Sequence, residues 1–304
     1  MAITELQRTK RQTTLGASDI PTIFGFNPWK SPADLWLEKT GRVEAPDAGE
    51  AAEIGDALEV GIKPLAERRL GYKLVKPTGT FVHRNGIMSA NVDLMAVKAQ
   101  RGAPIIEIKT TGRADEWADE RIPDRVMLQV AAQMACAESY EASIVALLAR
   151  FGLSVEVRTM HAVGEVKDMM AAIEERAVEW WEKHIVGDTE PDSLPSMEYI
   201  QIRPRVAGKV VSLPPVLVAN YQAAKDRAKQ AEDAADEAKT ALLAAMGDAD
   251  GATTEAGDSI RYTLVESNRL DGKALEAAHP EIVAKFTKQS SYRRLTVKAA
   301  KGGK

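Results

Sequence analysis

Three residues near the middle of this chain have types and spacing that could hold a hard cation and act on an anion. Asp93 closes the segment Ala90-Asn91-Val92-Asp93, and Glu107 and Lys109 stand in Ile105-Ile106-Glu107-Ile108-Lys109. If the second segment is a strand, its side chains alternate sides, so Glu107 and Lys109 share one face. A charged pair on a buried, otherwise apolar strand is costly unless something compensates it. Two carboxylates converging on a divalent cation would do so, and would leave the lysine to work on a substrate oxyanion. The bland alternative is an ordinary hairpin with one solvated face.

The elements around these residues narrow the choice. Gly86-Ile87-Met88 leads into Asp93, and Lys98-Ala99-Gln100-Arg101-Gly102 joins the two apolar segments as a hairpin loop would. Pro123-Asp124 opens a helix with Gln129 and Gln133 four residues apart on one face. Ile54 to Glu59 begins another helix, with Glu59 in its first turns. The order is therefore helix with Glu59, strand with Asp93, strand with Glu107-x-Lys109, helix with Gln129.

This ordered set resembles the PD-(D/E)xK nuclease superfamily, and more narrowly the YqaJ-type viral recombinases, relatives of the lambda exonuclease. Arg11 stands seven residues before Ser18 in Gly16-Ala17-Ser18-Asp19, a spacing the family has, and Phe26-Asn27-Pro28-Trp29 adds to the likeness. The resemblance covers roughly residues 8 to 185 and weakens toward the C-terminus. Two positions depart from it. Leu94 stands where the family often has glycine after the aspartate, and Ala131 replaces the second glutamine of Q-x-Q. Gln129 alone is then expected to carry a site role, with Gln133 a helix-face or packing residue.

The resemblance implies an α/β fold: a restriction-endonuclease-like core with a mixed central sheet flanked by helices, and a helical C-terminal extension. We expect the core over 1–190, a Pro-rich connector over 191–215 and the extension over 216–304. It implies a metal-dependent 5′-to-3′ exonuclease acting on linear double-stranded DNA in phage-type recombination. A structure-specific endonuclease, or an inactive DNA-binding protein on the same fold, is the alternative. The residues permit metal-assisted phosphodiester hydrolysis. Asp93 and Glu107 would bind Mg²⁺ or Mn²⁺, with the Ile108 carbonyl as a further ligand. Lys109 would orient the attacking water or stabilise the transition-state charge. By family likeness, Glu59 reaches a second ion, Gln129 positions the nucleophile or the lysine, and Arg11 with Ser18 forms a pocket for a terminal 5′-phosphate. For Arg11 simple surface exposure is the alternative, and Asp19 reads as a helix cap or turn residue. A homo-oligomer is expected, with room for a single-strand annealing protein as partner.

Composition agrees without deciding. The chain has 304 residues, 45% apolar and 28% charged, with net charge −4, as in an ordinary globular protein. That balance argues against coating nucleic acid over the whole surface but allows a local basic groove. The single cysteine, Cys136, excludes an internal disulfide and a four-cysteine iron–sulfur centre, and reads as a small buried side chain. None of the four histidines pairs at metal-ligand spacing. No apolar run could span a membrane and no signal-peptide core opens the chain, so we expect a cytoplasmic protein. Trp29, Trp36 and Leu37 are expected as apolar anchors. The pair Trp180-Trp181, on a helix over 166–184, would either stack on bases or pack on the sheet, and packing is the commoner use.

Beyond Pro215 the sequence changes character. Leu217, Tyr221, Ala224, Ala228, Ala231, Ala235, Ala238 and Leu242 form a heptad seam of small residues that suits a close partner helix. Gly247 to Gly257 breaks this helix, and Ser259 to Glu266 reads as a strand. After Glu281 every charge is basic, including Lys285, Lys288, Arg293 and Arg294. Such a run is a solvated tail or a phosphate contact.

Overall fold

Runs of β-branched and aliphatic residues build the sheet that carries Glu107. In the computed structural model, which describes residues 13–46, 49–97, 102–149, 152–289 and 292–297, five strands have the order β2-β5-β6-β7-β8. They are β2 (Leu74–Val75), β5 (Leu94–Ala96), β6 (Ile105–Thr111), β7 (Glu141–Ala149) and β8 (Leu153–His161). β5 runs antiparallel to β6, as a hairpin requires, and β8 antiparallel to β7. β6 and β7 are parallel, with Glu107 opposite Ile144. A parallel neighbour needs a crossover, and α4 (Asp124–Ala137) supplies it.

The alternation along β6 sorts its side chains between two cores. Ile106 and Ile108 join Leu94, Val145 and Leu147 under Ile62 and Ala66 of α3 (Gly49–Leu70). Ile105 lies on the other face, with Met95, Ile144 and Ala146, under Val130 and Met134 of α4. α5 (Gly164–Trp180) adds Ile173, Ala177 and Trp180 there. Glu107 follows Ile105 onto the α4 face, into the larger core. Cys136 is buried in that core, as expected. So is Trp180, at 2% exposure, and Trp181 packs against it. That pair is therefore structural. The architecture is the mixed α/β core expected from the sequence.

A second, three-stranded sheet brings the N-terminal segment beside this core. β1 (Leu15–Gly16) pairs in parallel with β4 (Met88–Ala90), and β3 (Phe81–Val82) pairs with β4 from the other side. A 3₁₀ turn over Ala17–Asp19 and α1 (Ile20–Ile23) follow β1. Asp19 holds this turn. Its Oδ2 accepts from the Gly16 N–H at 2.9 Å and pairs with Lys39 Nζ at 2.7 Å, while the same ammonium donates to the Thr14 carbonyl at 2.7 Å. Lys39 ends α2 (Pro32–Lys39), whose first turn is closed by a reciprocal Ser31–Asp34 capping box.

The chain divides into two compact units, Met1–Arg205 and Val206–Lys304. The stretch 191–215, expected as a connector, is split between them, and its first part is tied to α2. Ser193 Oγ accepts from the Ala33 N–H, Asp34 Oδ1 accepts from the Ser196 N–H at 2.8 Å, and the Tyr199 hydroxyl donates to Glu38. Prolines here shape a packed segment that leads into α6 (Met197–Ile202). In the second unit α7 (Pro215–Met246) contains the heptad seam, and every residue of that seam is exposed. The segment read as a break contains β9 (Gly251–Thr253), which pairs with β10 (Ser259–Arg261). The strand expected over 259–266 stops at Arg261 because its partner strand is only three residues long. α8 (Gly272–Ala278) and α9 (Pro280–Phe286) follow. Among the described residues no helix is long and apolar enough to cross a membrane.

The Asp19–Lys39 pair gives a stability test. Burial raises the Asp19 pKa, but Lys39, Lys30 and the Gly16 N–H together outweigh it, so the carboxyl lies below its ordinary 3.8. A depressed folded pKa stabilises above the unfolded value and is lost as pH falls through the folded one. Asp19→Ala should destabilise the protein by about 1–3 kcal/mol near neutral pH, because it removes the carboxylate that accepts from the Gly16 N–H and pairs with Lys39. Urea titrations should show this difference shrinking as pH drops below about 4.

Candidate active site

β6 and α4 meet around one buried charge. Glu107 is 3% exposed, and each of its oxygens is occupied. Oε1 accepts from Lys109 Nζ at 2.6 Å and from Gln129 Nε2 at 2.7 Å. Oε2 accepts from Gln133 Nε2 at 2.6 Å. Lys109 Nζ also donates to Gln129 Oε1 at 2.9 Å, which closes a triangle of lysine, glutamate and amide. Glu107 and Lys109 reach one another because they are two apart on a strand. The two glutamines reach the same carboxylate because they are four apart on a helix.

Asp93 enters from the bend between β4 and β5. The β5–β6 ladder ends at Leu94 opposite Ile106. Two residues further on, the Ile108 N–H donates to Asp93 Oδ2 at 2.8 Å, so a side chain stands in for the missing strand. A strand residue points its N–H and C=O to the same edge, which turns the Ile108 carbonyl toward the Asp93 side as well. Burial, then the charge of Glu107, pushes the Asp93 carboxyl up to about 8, and Glu59 adds to this. The Ile108 N–H and Lys109 pull the other way without prevailing. Negative charge is thus in excess at this edge.

Glu59, on α3, pairs with Lys76 Nζ at 3.4 Å. It acts on Asp93 through its field, but among the described residues no three acidic, histidine or cysteine side chains are grouped to hold one ion. Two carboxylates and a backbone carbonyl nevertheless match what magnesium takes from proteins, since that ion keeps several waters. Ser18 lines a cavity of about 460 Å³ with Lys109, Gln129, Thr111, Arg113 and Arg125. Arg11 lies outside the described residues, as do Lys98 to Arg101 of the expected hairpin loop. His83 and His161 each face one glutamate at 3.7 Å.

Two features escaped the sequence reading. Gln133 is not a packing residue, for it donates to Glu107 and, at 3.2 Å, to the Asn91 carbonyl. The signal was its i+4 spacing from Gln129, which matters more than the lost Q-x-Q. Trp29 is not a buried anchor but 60% exposed at the cavity, whereas Trp36 and Leu37 are buried as expected.

An aspartate at a strand entrance, E-x-K on the next strand and a glutamine on the following helix form the arrangement expected from the resemblance to the PD-(D/E)xK nucleases. Residues 7–140 match the model of the YqaJ-like viral recombinase domain. The uncharacterized protein YqaJ of Bacillus subtilis (strain 168) is 29% identical over 306 residues, which span 95% of this chain and 92% of the relative. Among solved structures, the alkaline exonuclease LHK-Exo of Laribacter hongkongensis, in complex with dAMP, is similar at a TM-score of 0.49 and 17% identity, over 60% of this chain and 94% of that one. A phage related exonuclease from Haemophilus somnus 129PT is similar at 0.45 and 14%, over 58% and 96%.

Two measurements probe this site without any substrate. A carboxyl whose folded pKa is raised from 3.8 to about 8 holds its proton more tightly in the folded state, so stability falls as pH rises through that window. In EDTA, the melting temperature of Asp93→Asn should therefore gain on that of the natural protein from about pH 4 to pH 8. Gln133→Leu removes a donor from a buried carboxylate and should cost about 1–3 kcal/mol in urea unfolding.

Proposed function

We propose that this protein is a nuclease, and specifically a metal-dependent exonuclease that degrades linear duplex DNA from 5′ to 3′ in recombination. The observation that carries this reading is the Glu107–Lys109–Gln129 triangle, which lies beside Asp93 and opens on a cavity lined by Ser18, Arg113 and Arg125. Asp93, Glu107 and the Ile108 carbonyl would hold Mg²⁺ or Mn²⁺, and Glu59 is the candidate for a second ion. When bound, the metal would supply Lewis acidity at the phosphate and a lowered pKa for the attacking water.

The chain's own groups do the rest. Lys109 presents an ammonium whose position is fixed by Glu107 and Gln129, so it can meet charge developing on a phosphoryl oxygen without reorganising. Gln129 uses both ends of its amide, its oxygen on Lys109 and its nitrogen on Glu107, and so keeps the ammonium and the carboxylate in register. Ser18, with Arg11, would bind a terminal 5′-phosphate through a hydroxyl and a guanidinium. That contact would make the enzyme act at ends. Such an enzyme works on double-stranded DNA in the cytoplasm of a bacterial host, as a homo-oligomer, with a single-strand annealing protein as its natural partner.

Incubation of the purified protein with Mg²⁺ and either linear or closed circular duplex tests the reading. Loss of linear DNA alone is the expected result, and nicking of circles would point to an endonuclease. Lys109→Ala should lower kcat by about 10²–10³-fold, while Asp93→Ala and Glu107→Gln should abolish turnover with the fold retained. Near-normal turnover in Lys109→Ala would remove this residue from the chemistry. A 5′-phosphorylated duplex should be cut roughly tenfold to a hundredfold faster than a 5′-hydroxyl one, and Arg11→Ala should erase most of that preference.

A further inference from the structure

One wall of the cavity has no part in holding metal or in the work assigned to Lys109. Trp29 stands in the loop between α1 and α2 and is 60% exposed, although an indole gains much from burial. The loop is nonetheless ordered by Asn27. Its amide donates to Thr22 Oγ1 at 2.9 Å, and its Oδ1 accepts from the Trp29 N–H at 3.0 Å. The guanidinium carbons of Arg113 and Arg125 lie over the indole, 5.2 and 5.3 Å from its centre. Both arginines bind the Glu116 carboxylate, so two cations share one anion and the wall keeps a positive charge. Even with both guanidiniums over it, most of the Trp29 side chain remains open to solvent at the cavity.

A fixed, exposed indole with cations beside it suits a π-system that carries phosphates. We propose that Trp29 is the stacking platform for a nucleobase of the strand being hydrolysed, with Arg113 and Arg125 meeting the adjoining phosphates. The inference rests on the nuclease reading above, and it adds the residue that grips the base.

The test uses the full-length protein, Mg²⁺ and 5′-phosphorylated linear duplexes. In one substrate the first three nucleotides of the degraded strand carry their bases, and in the other they are abasic. Trp29→Ala should lower kcat/KM on the first roughly fivefold to a hundredfold, mostly through KM, and Trp29→Phe should recover most of the loss. On the abasic substrate the natural protein should work poorly, and Trp29→Ala should cost nothing further. Equal rates for Trp29→Ala and the natural protein on the first substrate would overturn the proposal, as would an equal loss on both. If the natural protein hydrolyses neither substrate, the nuclease reading fails and this proposal with it. Hydrolysis that ignores Trp29 removes only the platform.

Discussion

A glutamate placed on the inner face of a central strand constrains everything near it. Glu107 lies in the larger core, where an unpaired carboxylate would cost several kcal/mol. Only a dense set of donors makes the position tolerable, and Lys109, Gln129 and Gln133 provide it. Their geometry fixes more than the carboxylate. Both glutamines must face β6 at once, so the rotation of α4 about its axis is set, and with it the apolar stripe that carries Val130 and Met134 into the core. A buried charge thus specifies the register between helix and sheet as well as the chemistry.

Asp93 lies at the opposite end of this argument. Its neighbours raise the cost of its charge, and the single N–H from Ile108 does not offset them. β5 ends early, which leaves that edge of β6 to a side chain and a carbonyl where a longer strand would have closed it. A longer ladder would be more stable and would leave no place for a cation.

Much of this was legible in the sequence, because it follows from the two short periods. The period of two puts Glu107 and Lys109 on one face, and the hairpin spacing brings Asp93 alongside β6. The helical period likewise puts Gln133 on the face of Gln129, since i and i+4 share a face whereas i and i+2 do not, and only its role was read as packing. The family's Q-x-Q pattern drew attention to Ala131 instead. Other features depend on contacts that no local pattern encodes. The prolines beyond Pro191 read as a linker, yet Asp34 and Ser196, which tie that stretch down, are 162 residues apart in sequence. Trp29 reads as an anchor by hydrophobicity alone, and only the fold reveals that it meets Arg113 and Arg125 at a surface. β9 is too short to stand out and exists only through β10.

The site therefore has two halves of opposite charge, built by separate parts of the chain. Asp93, Glu107 and Glu59 come from the sheet edge and α3, and burial with the charges of the two glutamates holds a proton on Asp93. Ser18, Arg113 and Arg125 come from the β1 turn and from the segment that follows β6, and they attract an anion. Lys109 belongs to both, since its ammonium pairs with Glu107 and also lines the cavity. On a chain of net charge −4, such a local separation decides where a polyanion can rest. It can approach through the basic half, and a cation held as proposed at the acidic half would displace the Asp93 proton and add positive charge beside the resting phosphate.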